Sequence, residues 1–184
     1  MRVLVAALMV VVFAGEVCGQ KKDVALAAKI AKEGTRVGDV FITATGKENV
    51  LKGVTAELST LDLTLSLVAA VDDRRIAFTS WNEEGTASLT DNLGNDYIHI
   101  KDRELLAAIR QSRGIRDVTM AALYADRHTT THLMFERPVP KAKRLTLEAT
   151  GENVEQKGRF KLYLERGKNA GEWVLAKPDA TKKP

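Results

Sequence analysis

The heptapeptide HTTTHLM, residues 128–134, contains the two histidines whose spacing suggests a metal site. His128 and His132 stand four residues apart, and on a helix that spacing brings two imidazoles together on one zinc ion. The three threonines between them, and the alternation into Leu133 and Phe135, instead favour a β-strand. On a strand, residues four apart share a face but lie roughly 13 Å from each other. One metal ion does not bridge that distance, so the sequence argues against a zinc pair.

A Cu(I) site is the metal chemistry that such a strand still allows. His132 and Met134 are two residues apart, so their side chains share a face. If residues 118–124 form a hairpin with this strand, Met120 falls opposite His132, and an imidazole between two thioethers suits a soft ion. The His-Leu-Met triplet resembles the His-x-Met element of periplasmic copper chaperones, although their upstream His/Met pair is missing here. Packing is the alternative role for His132, Met134 and Met120.

The stretch SLTDNLGNDYIHI, residues 88–100, gathers aspartate, asparagine and glycine between apolar alternations. An EF-hand calcium loop needs oxygen ligands at positions 1, 3 and 5 and glycine at position 6. Counted from Asp91, position 3 is Leu93 and position 6 is Asp96, so that pattern fails. Asparagine, aspartate and glycine do meet the positive-φ demands of a hairpin turn. The sequence therefore predicts a tight turn between two strands, with a weak cation site as the alternative.

Sequence signals for catalysis are weak. No serine lies in a Gly-x-Ser-x-Gly elbow, and no glycine-rich phosphate loop follows a predicted strand. The acidic pairs Asp72-Asp73 and Glu83-Glu84 fall at predicted turns, where neighbouring carboxylates are usually solvated. A glycosidase-like carboxylate pair assembled from distant positions stays open as an alternative. The pattern favours a protein that is not an enzyme and uses no cofactor.

Residues 1–19 have the layout of a secretory signal peptide. Arg2 precedes an unbroken apolar run over 3–14, and small residues follow it. This run is shorter than the roughly 20 residues that span a bilayer, and no later run approaches that length. Cleavage after Gly19 leaves a mature chain without cysteine, whereas cleavage after Ala14 retains Cys18. The sequence predicts an exported protein, periplasmic or extracellular, with no stable membrane insertion after cleavage.

Length and charge limit what the mature chain can be. About 160 residues remain after cleavage, which is enough for one domain with its own core. The net charge is +4, and no basic stripe is interleaved with aromatic residues, so nucleic acid is not a predicted partner. The predicted organisation is a lead-in over 20–34, a β-domain over 35–176 and a disordered basic tail over 177–184.

Most of the elements that must position these residues show apolar and polar residues in alternation, the pattern of a β-strand. Short apolar runs separated by turn residues recur from residue 40 to residue 175, and this spacing predicts an antiparallel sandwich. A short inserted helix is predicted over 102–114, with Asp102 as N-cap and Gly114 after the last turn. Residues 23–34 form either an amphipathic helix or a loose lead-in. The strand that begins at residue 40 is expected to break at Gly46.

The order of these segments resembles a known family. A leucine-rich strand over 61–71, a strand ending at Trp81, the hairpin SLTDNLGNDY and the strand end FERP recur in secreted telokin-like, immunoglobulin-like domains of unknown function from bacteria. The resemblance covers roughly residues 35–165, and it implies an immunoglobulin-like β-sandwich, export and no catalytic residues. In such a sandwich Leu89 and Tyr97 would hold the hairpin to the core, and the Trp81 indole would reach a carbonyl.

These features predict an exported, non-catalytic, immunoglobulin-like β-sandwich that mediates protein–protein or cell-envelope interactions. A periplasmic copper-binding protein that uses His132 and Met134 is the alternative. Sandwiches usually present their contacts on end loops and free strand edges. The candidate surfaces are the turn at 91–96, the helix at 102–114 and the basic patch of Lys141, Lys143 and Arg144.

Overall fold

A computed structural model describes residues 23–52, 57–101 and 118–176. The predicted signal peptide, the helix predicted over 102–114 and the basic tail lie outside the described residues. The elements in chain order are α1 (residues 23–33), β1 (Thr35–Val37), β2 (Val40–Lys52), β3 (Glu57–Ala69), β4 (Ile76–Thr79), β5 (Ala87–Asp91), β6 (Asp96–Tyr97), β7 (Met120–Leu123), β8 (Thr129–Glu136), β9 (Arg144–Thr150), a 3-10 turn (Gly151–Val154), β10 (Arg159–Arg166) and β11 (Glu172–Leu175).

Nine of the described strands form one antiparallel sheet. The hydrogen-bonded path runs β6-β5-β9-β10-β11-β2-β3-β8, β1 pairs with β2, and β4 and β7 form a separate two-stranded sheet. The path closes on itself because His99, just beyond β6, forms a bridge with Phe135 of β8. The Ile100 N–H donates to the Met134 carbonyl at 2.8 Å beside this bridge. We call the junction between residues 98–100 and β8 the seam. The predicted antiparallel all-β, sandwich-like fold with a short helix is confirmed, and its sheet encloses one core.

Alternation along the strands fills that core. Every second residue of β3 from Leu61 to Leu67 is fully buried, and the inward residues of β2, β8, β9 and β10 pack against them. The Trp81 indole N–H donates to the Thr150 carbonyl at 2.8 Å, as predicted. Leu89 and Tyr97 lie opposite each other in register, both buried, and hold the β5–β6 hairpin to the core.

The lead-in is helical. Ala27 and Ile30 of α1 are buried against Phe41 and Val68, on the face of β2 and β3 that points away from the main core. Burial of this apolar stripe stabilises a helix that is too short to be stable alone. Among the described residues, no helix is long and apolar enough to cross a membrane.

Gly46 does not break its strand, contrary to the sequence expectation. β2 continues to Lys52, and Gly46 lies between Leu63 of β3 and Trp173 of β11. A Cβ atom at Gly46 would lie 2.7 Å from Leu63 Cδ2 and 3.1 Å from Trp173 Cβ. Glycine is therefore needed here for close packing around the tryptophan and not for a turn.

The Gly46→Ala variant is expected to lose about 2 kcal/mol of unfolding free energy, since the added methyl meets a packed core. Urea denaturation measures the loss. Gly85→Ala is the control: Gly85 has φ +73° with nothing within 4 Å of an added Cβ, so about 1 kcal/mol of backbone strain is expected there. A smaller loss at Gly46 than at Gly85 would contradict the packing argument.

The prediction of a hairpin between residues 118–124 and the following strand is wrong. β7 pairs with β4, which places Met120 opposite Thr79, whereas β8 pairs with β3 and places His132 opposite Thr64. The connecting residues 124–128, YADRH, contain no glycine or asparagine to make a tight turn. β8 instead pairs antiparallel with eight residues of β3, Thr60 to Leu67.

Candidate functional site

The predicted ligand His132 lies on the outer face of β8, in a groove of about 650 Å³. Strand register brings Thr45 of β2, Thr64 of β3 and His132 side by side across this face. Most of the residues that line the groove are of polar types, and both signs of charge are present. Its charged lining residues are Lys47, Asp62 and Glu172.

The imidazole of His132 is held through one nitrogen. Thr64 Oγ1 lies 3.2 Å from His132 Nδ1, and Asp62 Oδ1 lies 3.7 Å from the same atom. A histidine that activates a hydroxyl nucleophile binds that hydroxyl through one nitrogen and its orienting carboxylate through the other. Because both groups approach Nδ1, the arrangement orients the ring and does not build such a relay.

The proposed copper ligands are only partly brought together. Met134 shares the outer face of β8 with His132, as predicted, and is 5% exposed. Met120 is 77% exposed on β7 and belongs to the separate two-stranded sheet. Within residues 23–52, 57–101 and 118–176, no three His, Cys, Asp or Glu side chains are grouped to hold a metal ion. Copper binding stays a prediction, and Met120 is not opposite His132 as that hypothesis required.

The 91–96 segment is the predicted turn, and Asp91 organises it. Its buried carboxylate accepts hydrogen bonds from the Leu93 N–H (2.8 Å), the Asn95 N–H (3.0 Å), the Asn95 side-chain amide (2.8 Å) and the Tyr97 hydroxyl (2.6 Å). Gly94 supplies the positive φ of the turn, +89°. Burial raises the pKa of Asp91, but the bonds from Tyr97, Asn95 and Leu93 outweigh it and lower the pKa from 3.8 to about 2.

The same turn is joined to the loop at 137–143. Asn92 Oδ1 accepts hydrogen bonds from the N–H groups of Lys143 (2.8 Å) and Arg144 (3.0 Å). The Tyr97 hydroxyl accepts a bond from the Val139 N–H at 3.1 Å. Two of the three surfaces proposed from sequence, the turn and the basic patch, therefore lie side by side. The third, at 102–114, lies outside the described residues.

A guanidinium group holds the loop from its other side. Arg166 donates from Nε to the Ala142 carbonyl at 2.8 Å and from Nη2 to the carbonyls of Val139 (3.4 Å) and Pro140 (3.3 Å). The buried side chains of Pro138 and Ala142 anchor the loop. The backbone of this loop is therefore fixed from two directions.

Arg166 is itself fixed by two residues far away in sequence. Its Nη1 donates to Glu48 Oε1 at 3.2 Å, and the same oxygen accepts the Trp173 indole N–H at 3.0 Å. The guanidinium carbon lies 4.5 Å from the centre of the Trp173 ring, a cation–π distance. Sequence analysis missed this cluster, because Glu48 stands 118 residues from Arg166 and 125 from Trp173, and only the sheet brings them together.

The side chains exposed on these segments include apolar and basic ones. We call the turn 92–95, the segment 98–100 and the loop 137–143 the loop end. Its apolar side chains Leu93, Ile98 and Val139 are 55%, 66% and 38% exposed. Lys141 and Lys143 are also exposed, and neither forms an ion pair with a described residue.

His99 lies in the seam that closes the sheet. Its ring stacks on Phe135, with centroids 4.6 Å apart and planes 25° apart. Both ring nitrogens are buried and find no hydrogen-bond partner among the described residues. Burial, with a smaller contribution from Lys101, lowers the pKa of His99 from 6.5 to about 4.

Because His99 resists protonation only when folded, acid should weaken the fold. The unfolded chain takes up the proton near pH 6.5 and the folded chain only near 4, so the free energy of unfolding should fall by about 3 kcal/mol between these values. Denaturant titrations at several pH values measure this slope. His99→Leu should flatten it, and an unchanged slope in His99→Leu would disprove the assignment.

Comparison of the chain with protein-family models, with curated proteins and with solved structures found no match. The resemblance to telokin-like, immunoglobulin-like domains therefore stays a prediction from motif order. The groove around His132 and the loop end are the features from which a function is inferred.

Proposed function

We propose that this protein is an exported, non-catalytic binding module that attaches to a component of the cell envelope through its loop end. The observation that carries the proposal is the contrast within this end. Its backbone is fixed by Asp91, Asn92, Tyr97 and Arg166, while its apolar and basic side chains face solvent. A fixed backbone with exposed apolar and charged side chains is typical of a binding surface.

The geometry at His132 supports binding over catalysis. Thr64 and Asp62 both approach Nδ1 of His132. Among the described residues, the ring therefore does not bind a hydroxyl through one nitrogen and a carboxylate through the other, as activation of a nucleophile requires. The polar groove around His132 is a second surface that a ligand could occupy. Its lining residues are mainly threonine, asparagine and charged residues, whereas the loop end exposes Leu93, Ile98 and Val139.

The sequence of residues 1–19 supports the export part of the proposal. Export would bring the loop end into contact with membranes, cell-wall polymers and other envelope proteins. Where such a partner carries negative charge, the unpaired lysines of the loop end are attracted to it.

The test is fractionation of cells that produce the full chain. Mass spectrometry of the exported protein should show a start at Gln20, and a fraction of the mature chain should sediment with envelopes. The variant V139S/K141Q/K143Q should shift to the soluble fraction. A control with the same number of changes elsewhere, Y124S/K32Q/K157Q, should not, since these residues are also exposed but lie outside the loop end.

Two results would contradict the proposal. One is an uncleaved chain that stays inside the cell, which removes the export step. The other is equal sedimentation of the two triple variants, which removes the loop end as the contact.

A further inference from the structure

We propose that the envelope component bound by the loop end is the surface of an anionic lipid bilayer. This inference rests on the proposed function, because it names the partner of the same surface. Three properties of the loop end support it: apolar side chains at its tips, an excess of positive charge beside them, and a backbone that is already ordered.

The segments that carry the apolar side chains are joined by hydrogen bonds. The Leu93 N–H and the Tyr97 hydroxyl bind the two oxygens of the Asp91 carboxylate, and Tyr97 in turn accepts the Val139 N–H. Ile98 directly follows Tyr97 in the chain. Proteins that lie on a bilayer bury such side chains in the boundary between headgroups and acyl chains. A fluid bilayer accepts protruding side chains without the shaped pocket that a protein partner would need.

Positive charge accumulates in the loop beside these tips. The segment RPVPKAKR, residues 137–144, holds four cations and no acid. Arg144 is paired with Glu165 at 2.9 Å, whereas Arg137, Lys141 and Lys143 form no ion pair with a described residue. Each cation held near an anionic membrane surface strengthens binding about fivefold.

The acids nearest this loop lie outside the 137–144 segment. The carboxylate of Asp91 is buried inside the turn. Glu136 accepts a bond from the Ile98 N–H at 3.3 Å, which fixes that carboxylate beside the seam. Asp96 is the exposed acid of the turn. Positive charge is therefore concentrated in the loop, and the negative charge lies on the turn and the seam beside it.

Order in the loop lowers the cost of binding. Pro138 and Pro140 restrict the backbone, and Arg166 binds three of the loop carbonyls. Little conformational entropy is then lost when Val139, Lys141 and Lys143 meet a surface.

The experiment is vesicle co-sedimentation with the processed chain purified from the cells that export it. One set of vesicles is phosphatidylcholine alone, and in the other phosphatidylglycerol replaces part of the phosphatidylcholine. We expect binding to the second set only, with loss as NaCl is raised. K141Q/K143Q should weaken it about 30-fold, because each lysine contributes about fivefold. L93S/V139S should also weaken it several-fold, and K32Q/K157Q should leave it unchanged.

Other outcomes would overturn the inference. Binding that is equal on both vesicle sets, or absent from both, excludes an anionic bilayer. If envelope sedimentation in cells still depends on the loop end in that case, the proposed function stands and the partner is a protein or a polymer. Release by inorganic phosphate beyond that caused by NaCl of equal ionic strength would indicate a discrete phosphate site and not a membrane surface. Circular dichroism melts confirm that each variant is folded.

Discussion

Replacing Arg166 with methionine is expected to lower the free energy of unfolding by about 4 kcal/mol. The guanidinium donates to three carbonyls of the 137–143 loop and to Glu48, and it stacks on Trp173. Methionine keeps much of the side-chain volume but leaves these acceptors without a donor. Among the described residues, the Glu48 carboxylate would then keep only the bond from the Trp173 indole. Urea denaturation with a fluorescence readout of the tryptophans measures the loss.

Arg144→Met is the matched control for that prediction. Arg144 lies at the same end of the sheet and makes one ion pair with Glu165, in which both side chains are 49% exposed. Exposed pairs of this kind contribute at most about 1 kcal/mol. Similar losses in Arg144→Met and Arg166→Met would show that Arg166 acts as an ordinary surface cation. Arg166→Lys adds a further comparison, because lysine keeps the charge but cannot reach several acceptors in one plane.

The fold was predictable from sequence wherever local pattern decides it. Alternation placed the strands around Leu63 and Phe78, and the residues of the 91–96 turn specified a hairpin because aspartate, asparagine and glycine favour it directly. The helical lead-in was one of two alternatives, and the apolar stripe of Ala27 and Ile30 decided it by packing on Phe41 and Val68. These signals lie within a few residues of each other.

Pairing between distant strands could not be predicted in the same way. Consecutive strands were expected to form the hairpin that contains Met120, but β7 pairs with β4 and β8 with β3. The sequence predicts a strand end at Gly46, whereas the structure requires glycine there to admit Trp173 of β11, a strand near the other end of the chain. The choice among partners depends on the packing of the whole sheet, which a local pattern does not contain.

The candidate site shows the same division. The turn and the basic patch were recognisable as separate surfaces from their residue types. They are joined because the side chains of Asn92 and Tyr97 accept hydrogen bonds from N–H groups that lie 51 and 42 residues later in the chain. His132 was recognised as a potential ligand, but its actual partners, Thr64 and Asp62, follow from the β3–β8 register.

Replacing Asp91 with alanine is expected to cost about 4 kcal/mol of unfolding free energy, because hydrogen bonds to a buried charged group contribute about 1.5–3 kcal/mol each and are not additive. The variant leaves the Tyr97 hydroxyl and the N–H groups of Leu93 and Asn95 without their acceptor. Denaturant titration measures the loss. Asp96→Ala, at the exposed position in the same turn, should change stability by less than about 0.5 kcal/mol. Equal losses at the two positions would contradict the role of the Asp91 carboxylate.

The pH dependence of this effect gives a second, independent check. The folded pKa of Asp91, about 2, lies below its ordinary value of 3.8, so the stabilisation is complete above about pH 4 and is lost as the pH falls towards 2. That window lies below the one assigned to His99, so Asp91→Ala should remove the lower part of the acid slope and leave the upper part. Asp91→Ala also tests whether order in the loop end matters for binding to vesicles. The variant removes a negative charge, which by itself should favour anionic vesicles, but it also releases Tyr97 from the turn. Weaker vesicle binding by a folded Asp91→Ala chain would show that the fixed backbone outweighs the gain in charge, and tighter binding would show that charge alone controls attachment.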